Sequence, residues 1–229
     1  MLVGRADPSG GRKAEDDCDP PEPRSPSVAH ALRGAMGEDR PVATWAGAVL
    51  AGGASRRMGR DKALLEVGGR PLVRVAVEAL RGAGADRVLV VGGDAHAFAR
   101  LGLETVPDRY PGDGPLGGVL TAFSALRSEI VVVLACDLPG VDAASVATVL
   151  EALRGDRSAA VAWPEDGGHQ HVLHAAWRVA PSEPVLAAAF AEGERSLRRA
   201  SAELPCRRVS GIPTSAVRNA NRLDDLGSG

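Results

Sequence analysis

The sequence predicts an α/β fold: a three-layer sandwich on a mostly parallel sheet. Short apolar runs alternate with stretches of helical period along most of the chain. The strongest runs, "WAGAVL" and "IVVVLA", are apolar throughout, as strands covered on both faces are. Strands that alternate with helices build a parallel sheet with a helical layer on each side.

The elements follow in order. "WAGAVL" is a strand that ends in glycines. "PLVRVAVEALRGAG" has apolar residues at helical spacing and a glycine stop. "RVLVVGG" is a second buried strand and "LETVPD" a short third. "GPLGGVLTAFSALR" is a helix opened by glycine and proline. "EIVVVLACDLP" is the clearest strand, and "DAASVATVLEALRG" a helix with Asp142 at its cap. "SAAVAWPEDGGHQHVLHAAWRV" reads as two strands joined by the polar "EDGG" turn. "PVLAAAFAEG" and "SLRRASAEL" are helical, "RRVS" a strand, and "AVRNANRLDDL" closes the chain.

Residues 1–43 differ. Six of the sixteen prolines precede Trp45, charges are mixed, and no apolar period is present. Such a segment cannot bury enough surface to offset its ordering entropy, so a disordered tail is expected before a domain over 44–227. Synthesis from Met36 is the other reading of this stretch.

Composition excludes several classes. The 229 residues are 45% hydrophobic but only 3% aromatic, which leaves no stacking platform for single strands. A net charge of −2 gives no basic field for duplex nucleic acid. No run has membrane-spanning length. Cys18, Cys136 and Cys206 are odd in number and far apart, which fits a reducing cytoplasm better than disulfides.

Ligands of open α/β sheets bind at the carboxyl ends of strands, where the strand order reverses. Three motifs fall there. In "VLAGGASRRMGRDKALL" the small residues Ala51, Gly52, Gly53 and Ala54 let backbone N–H groups approach an anion, and Ser55 adds a hydroxyl. Arg57 and Lys62 supply cations. Neither GxGxxG nor GxxxxGK fits, so this is neither a dinucleotide nor a Walker loop. In "CDLP", Asp137 lies just past a strand. A carboxylate there suits Mg²⁺, which prefers oxygen donors, and equally suits a turn cap. In "VPDRYPGDGPLGGVL", Gly112, Gly114, Gly117 and Gly118 bracket a helix start. Free N–H groups there favour anions or carbonyls, and the same residues make a turn that feeds a helix.

The pattern L-A-G-G-x-S-x-R-M-G-x-D-K is met at every fixed position by Leu50 to Lys62. It resembles the sugar-nucleotide-pyrophosphorylase-like nucleotidyltransferases, and most closely the molybdenum cofactor guanylyltransferase (MobA-like) family. The resemblance implies a Rossmann-like sheet of the nucleotide-diphospho-sugar transferase, or GT-A-like, kind. It implies an Mg²⁺-dependent enzyme that moves GMP from GTP to the phosphate of a molybdopterin-type acceptor and releases pyrophosphate. Transient contacts with molybdenum cofactor biosynthesis proteins and molybdoenzymes are implied as well.

By the same resemblance, Leu50, Ala51, Gly52, Gly53, Ser55 and Lys62 hold the nucleotide, with Arg57, Lys62 and Asp137 as the catalytic set. Asp137 carries the metal, Asp108 and Gly114 meet the nucleoside, and Gly92 offers the base its backbone. The acceptor half departs from the family. His171, Val172 and Leu173 stand where Gln-Pro-Leu is expected, and Arg222 and Leu223 replace Thr-Pro in the closing motif. Asn219 and Asn221 are kept, as acceptor contacts or, for Asn221, a metal ligand; paired asparagines also hold turns. His169, His171 and His174 read as solvated or acceptor-facing rather than as a zinc site. A cytidylyltransferase, a transferase with another phosphate acceptor, and a nucleotide-delivery module without turnover are the rival readings.

Overall fold

The computed structural model describes residues 45–52 and 61–220. Of the two compact units of the chain, Met1–Arg40 and Pro41–Gly229, only the second contains described residues. The expected tail, with Gly53, Ser55, Arg57 and Asn221, therefore lies outside the described residues.

The strands are β1 (Trp45–Leu50), β2 (Glu66–Val67), β3 (Arg70–Pro71), β4 (Val88–Val91), β5 (Thr105–Val106), β6 (Ile130–Ala135), β7 (Val161–Asp166), β8 (His169–Gln170), β9 (His174–Arg178) and β10 (Cys206–Val209). The helices are α1 (Leu72–Gly82), α2 (Ala95–Arg100), α3 (Gly114–Leu126), α4 (Ala143–Gly155), α5 (Val179–Ala191), α6 (Leu197–Ala200) and α7 (Thr214–Val217).

An eight-stranded sheet runs in the order β10-β7-β9-β6-β1-β4-β5, with β8 on β7; β2 and β3 form a separate hairpin. β4, β1 and β6 are parallel, with Leu50 opposite both Val91 and Ala135. Three strand ends are therefore level. The chain moves outward from β1 to β4 and β5, then returns to the other side of β1 at β6. That reversal opens a crevice beyond the carboxyl ends of β1 and β6.

β6 shows why the core has two halves. Its residues alternate, so Ile130, Val132 and Leu134 pack with the apolar stripes of α1 and α4. Val131 and Val133 face the opposite way, onto α3, α5 and α6. Both halves are mainly aliphatic, with buried aromatics at Trp45 and Phe98 in the first and Phe123, Trp163 and Trp177 in the second.

Local signals explain the helix limits. Asp142 accepts from the Ser145 N–H while the Ser145 hydroxyl faces the Asp142 N–H, a capping box that starts α4 where the sequence places it. α1 stops where the Ala85 and Gly84 N–H groups turn back to the Leu80 and Arg81 carbonyls.

One expectation changes. "EDGG" does make a tight turn, with Gly167 and Gly168 at φ 54° and 79°, but it joins β7 to the short β8. β9 follows and inserts antiparallel between β6 and β7. The sheet is therefore mixed on that side. Pairing of Val161 with Trp177 is a long-range choice that strand periodicity does not encode.

Candidate active site

The site forms where the level ends of β1, β4 and β6 meet. The Ala51 N–H donates to the Val91 carbonyl and the Cys136 N–H to the Leu50 carbonyl, so the three exits are hydrogen-bonded in a row. Leu50 itself is core: its side chain lies against Gly118 of α3.

Gly52, Gly92 and Asp108 come together on the β4 side. A side chain on Gly92, at φ 73°, would put Cβ 3.1 Å from the Gly52 Cα and 3.6 Å from the Asp108 Cβ. Two bare backbones and one carboxylate thus line a narrow cleft. Asp108 is held in place. Its Oδ1 accepts from the Tyr110 N–H at 3.0 Å and lies 3.1 Å from the Thr121 hydroxyl, which is buried and also reaches the Gly117 carbonyl. Oδ2 lies 3.4 Å from where a Cβ on Gly52 would sit.

On the β6 side, Lys62 Nζ donates to Asp137 Oδ2 at 2.6 Å, with side chains 23% and 17% exposed. Enough of both faces solvent for a ligand to reach them. The described segment that ends at Ala220 returns to the same point: the Ala220 N–H donates to the Asp137 carbonyl at 2.9 Å, one residue after the exposed Asn219. Burial, followed by the nearby carboxylates of Asp137 and Asp61, pushes the Cys136 thiol up to about 12. It stays protonated and is no nucleophile.

Gly114 opens α3 at φ 75°, and a Cβ there would meet the Arg195 carbonyl at 3.1 Å. Arg195 also pairs with Asp113 at 3.1 Å and stacks over Phe190. The "EGERS" segment is thus packed on the start of α3.

The histidines separate. His169 and His171 rings meet edge-on at 4.7 Å. Partial burial and the neighbouring His169 lower the His171 pKa from its ordinary value, against the pull of Asp166. His174 corrects the expectation of solvated or acceptor-facing histidines: it is 1% exposed, on the α4 face of β9. Among the described residues, neither of its ring nitrogens meets a partner in good hydrogen-bond geometry, although backbone groups of Ala216 and Ser145 face the ring. Burial takes its pKa down to about 4.

Two residues of the site were not singled out from the sequence. Thr121 reaches Asp108 across a helix turn and a loop. Asp61 belongs to the motif but shows its bond to Asp94 only in the folded chain.

Residues 47–206 match the MobA-like NTP transferase domain. The chain belongs to the MobA-like NTP transferase family. It is therefore a nucleotidyltransferase. The chain is 38% identical over 194 residues to a probable molybdenum cofactor guanylyltransferase of Opitutus terrae, covering 79% of this chain and 92% of that protein. It is 36% identical to the molybdenum cofactor guanylyltransferase of Cereibacter sphaeroides, with the same coverage. The fold is that of molybdopterin-guanine dinucleotide biosynthesis protein A from Archaeoglobus fulgidus, with a TM-score of 0.63, 22% identity, and 79% and 94% of the two chains covered. Rv0371c of Mycobacterium tuberculosis shares it at a TM-score of 0.61 and 20% identity, over 82% and 100%.

The donor set of this MobA-like chain fits Mg²⁺. Asp137 offers a hard carboxylate oxygen, partly open to solvent, at the crevice mouth. Among the described residues no three His, Cys, Asp or Glu side chains gather around one point. A metal on Asp137 would complete its shell with phosphate oxygens and water, as Mg²⁺ commonly does. Among the described residues, no helix is long and apolar enough to cross a membrane.

Proposed function

We propose that this MobA-like enzyme transfers GMP from GTP to the phosphate of a molybdopterin-type acceptor and releases pyrophosphate. The observation that carries the reading is the Lys62–Asp137 pair at the mouth of the β1/β6 crevice. It brings a lysine ammonium and a carboxylate together at one strand end, next to the nucleotidyltransferase motif, which supports a phosphate-binding cation beside a metal ligand. The relatives named molybdenum cofactor guanylyltransferase support the donor and the acceptor.

Asp137, with Asn221 as a second oxygen donor, would hold Mg²⁺; bound there it neutralises triphosphate charge and orients the phosphates. Lys62 leaves Asp137 for the phosphate oxygens when the nucleotide enters, and Arg57 joins it. Main-chain N–H groups of Ala51 to Gly53 and the Ser55 hydroxyl bind further oxygens, beyond the end of Leu50. Asp108 Oδ2 takes a sugar hydroxyl, and the Gly92 backbone admits the base. An acceptor phosphate oxygen attacks the α-phosphorus, the bond from that phosphorus to the β-phosphate bridging oxygen breaks, and pyrophosphate departs. No general base is required, because the nucleophile is already ionised near neutral pH. Positioning and charge neutralisation by Lys62 and Arg57 supply the acceleration. Asn219, Asn221 and His171 face the acceptor. Burial favours the neutral ring of His171, which can accept a hydrogen bond from the acceptor. Free Cys136 and Cys206 suit the cytoplasm as the working compartment, where molybdenum cofactor biosynthesis proteins and molybdoenzymes are the natural contacts.

The test is pyrophosphate release from GTP, CTP, ATP and UTP, each with molybdopterin and Mg²⁺. Release with GTP, abolished by a chelator, is expected. Release with CTP alone identifies a cytidylyltransferase, and binding without release a delivery module.

A further inference from the structure

Asp61 uses its two carboxylate oxygens for two different walls of the crevice. Oδ1 accepts from the Ala63 N–H at 3.0 Å and so starts the single 3-10 turn, Lys62–Leu64, that carries the catalytic cation. Oδ2 accepts from the Asp94 N–H at 3.2 Å, thirty-three residues away. Asp94 follows the Gly92–Gly93 turn at the end of β4 and caps α2 with its own side chain through the Ala97 N–H. That turn has no slack. A Cβ on Gly93 would sit 2.5 Å from the Phe98 ring and 3.2 Å from the Ala51 Cβ, and one on Gly92 would press on Gly52. The β4 turn is therefore a fixed reference on the sheet, and Asp61 ties the Lys62 turn to it.

A local cap alone does not require this residue. Serine or asparagine at the N-cap accepts from the first turn just as well. Only the second oxygen of a carboxylate spans to Asp94. The bond is exposed and so adds little stability. Its consequence is geometric: Lys62 is fixed between the β4 turn on one side and Asp137 on the other.

We propose that Asp61 is a positioning residue that registers Lys62 against the β4 wall of the nucleotide crevice. Through it, the distance between the nucleoside end and the phosphate-binding lysine is set before the nucleotide arrives. The proposal rests on the nucleotidyltransferase reading of this site and deepens it. With the tether gone, the Lys62 turn can follow its own side chain toward Asp137, and the nucleotide must then restore the register at the expense of its binding energy.

The experiment measures GTP·Mg²⁺ affinity and steady-state pyrophosphate release in the full chain for four proteins: wild type, Asp61→Ser, Lys62→Ala and the double variant. Asp61→Ser keeps an N-cap acceptor and loses the reach to Asp94. It is expected to weaken GTP binding about 10-fold and to lower kcat with an unchanged melting temperature. In the Lys62→Ala background the same substitution is expected to change GTP affinity by less than about 2-fold, because a residue that acts through Lys62 has nothing left to act on. Asp61→Asn keeps one acceptor for two N–H groups and is expected to fall between wild type and Asp61→Ser; it serves as the probe if Asp61→Ser does not fold. Wild-type affinity and kcat in Asp61→Ser overturn the proposal, as does a 10-fold loss that persists without Lys62. A wild-type protein that releases no pyrophosphate with any nucleotide overturns the transferase reading itself, a failure seen before any variant is made.

Discussion

Lys62 Nζ lies 2.6 Å from Asp137 Oδ2, although seventy-five residues separate the two in the chain. Each is the natural counter-charge of the other while the crevice holds no nucleotide. Lys62→Ala and Asp137→Ala are each expected to lower kcat by about 10²–10³-fold, the usual loss when a group that meets developing charge is removed. Both variants are expected to keep the wild-type circular dichroism spectrum, because the pair is partly solvated. A pyrophosphate-release assay beside thermal melts separates the two effects, and a variant with near wild-type rates removes its residue from the catalytic set.

Gly92→Ala tests the cleft. The new methyl would sit 3.1 Å from the Gly52 Cα, on a backbone with φ of 73° that L-residues avoid. Strain and crowding are expected to cost about 1–3 kcal/mol in denaturant unfolding. Nucleotide affinity is expected to drop at least about 10-fold, because misplaced walls disrupt positioning. Titration with GTP at a temperature well below the melt checks it.

Thr121→Val removes a buried hydroxyl without changing shape. It removes the one hydroxyl hydrogen within reach of both the Gly117 carbonyl and Asp108 Oδ1, and leaves the Arg109 N–H short of an acceptor. The expected cost is about 1–3 kcal/mol of stability. KM for the nucleotide is expected to rise while kcat falls less, because Asp108 loses its orientation and not its charge. Thr121→Ser is expected to restore KM; failure to do so sinks this role for the hydroxyl.

His174 predicts an acid-labile fold. Its folded pKa of about 4 lies below the unfolded value of 6.5, so the folded chain favours the neutral ring. Above pH 6.5 the ring is neutral in both states and costs nothing. Between pH 6.5 and 4 the unfolded chain takes up the proton first, and stability is lost progressively, by about 3 kcal/mol in all. Unfolding followed by urea at pH 7, 5.5 and 4.5 measures the slope. His174→Leu is expected to flatten it and to raise stability at pH 5, because the ring whose protonation burial opposes is gone.

The strands and helices around the core were readable because they obey local periods: β6 is apolar throughout, and α4 announces its start with Asp142 and Ser145. Short elements escaped. α2, with two buried residues, and the two-residue strands β2, β3 and β8 are held by their neighbours and not by a pattern of their own. The same division runs through the site. Lys62, Asp108 and Asp137 stand in motifs of contiguous residues, whereas Thr121 and the second bond of Asp61 are contacts across 13 and 33 residues.

By itself, then, the amino-acid order determined the α/β class, the nucleotidyltransferase motif after β1 and the carboxylate after β6. These are set by side-chain chemistry and spacing within a few residues, and local sterics suffice to read them. Tertiary structure alone decided that β9 inserts between β6 and β7, that Ala220 returns to the Asp137 carbonyl, and that His174 is buried while His169 is not. Each of those depends on which distant surfaces pack together, and that choice is made by burial of the whole aliphatic core, not by any one segment's period.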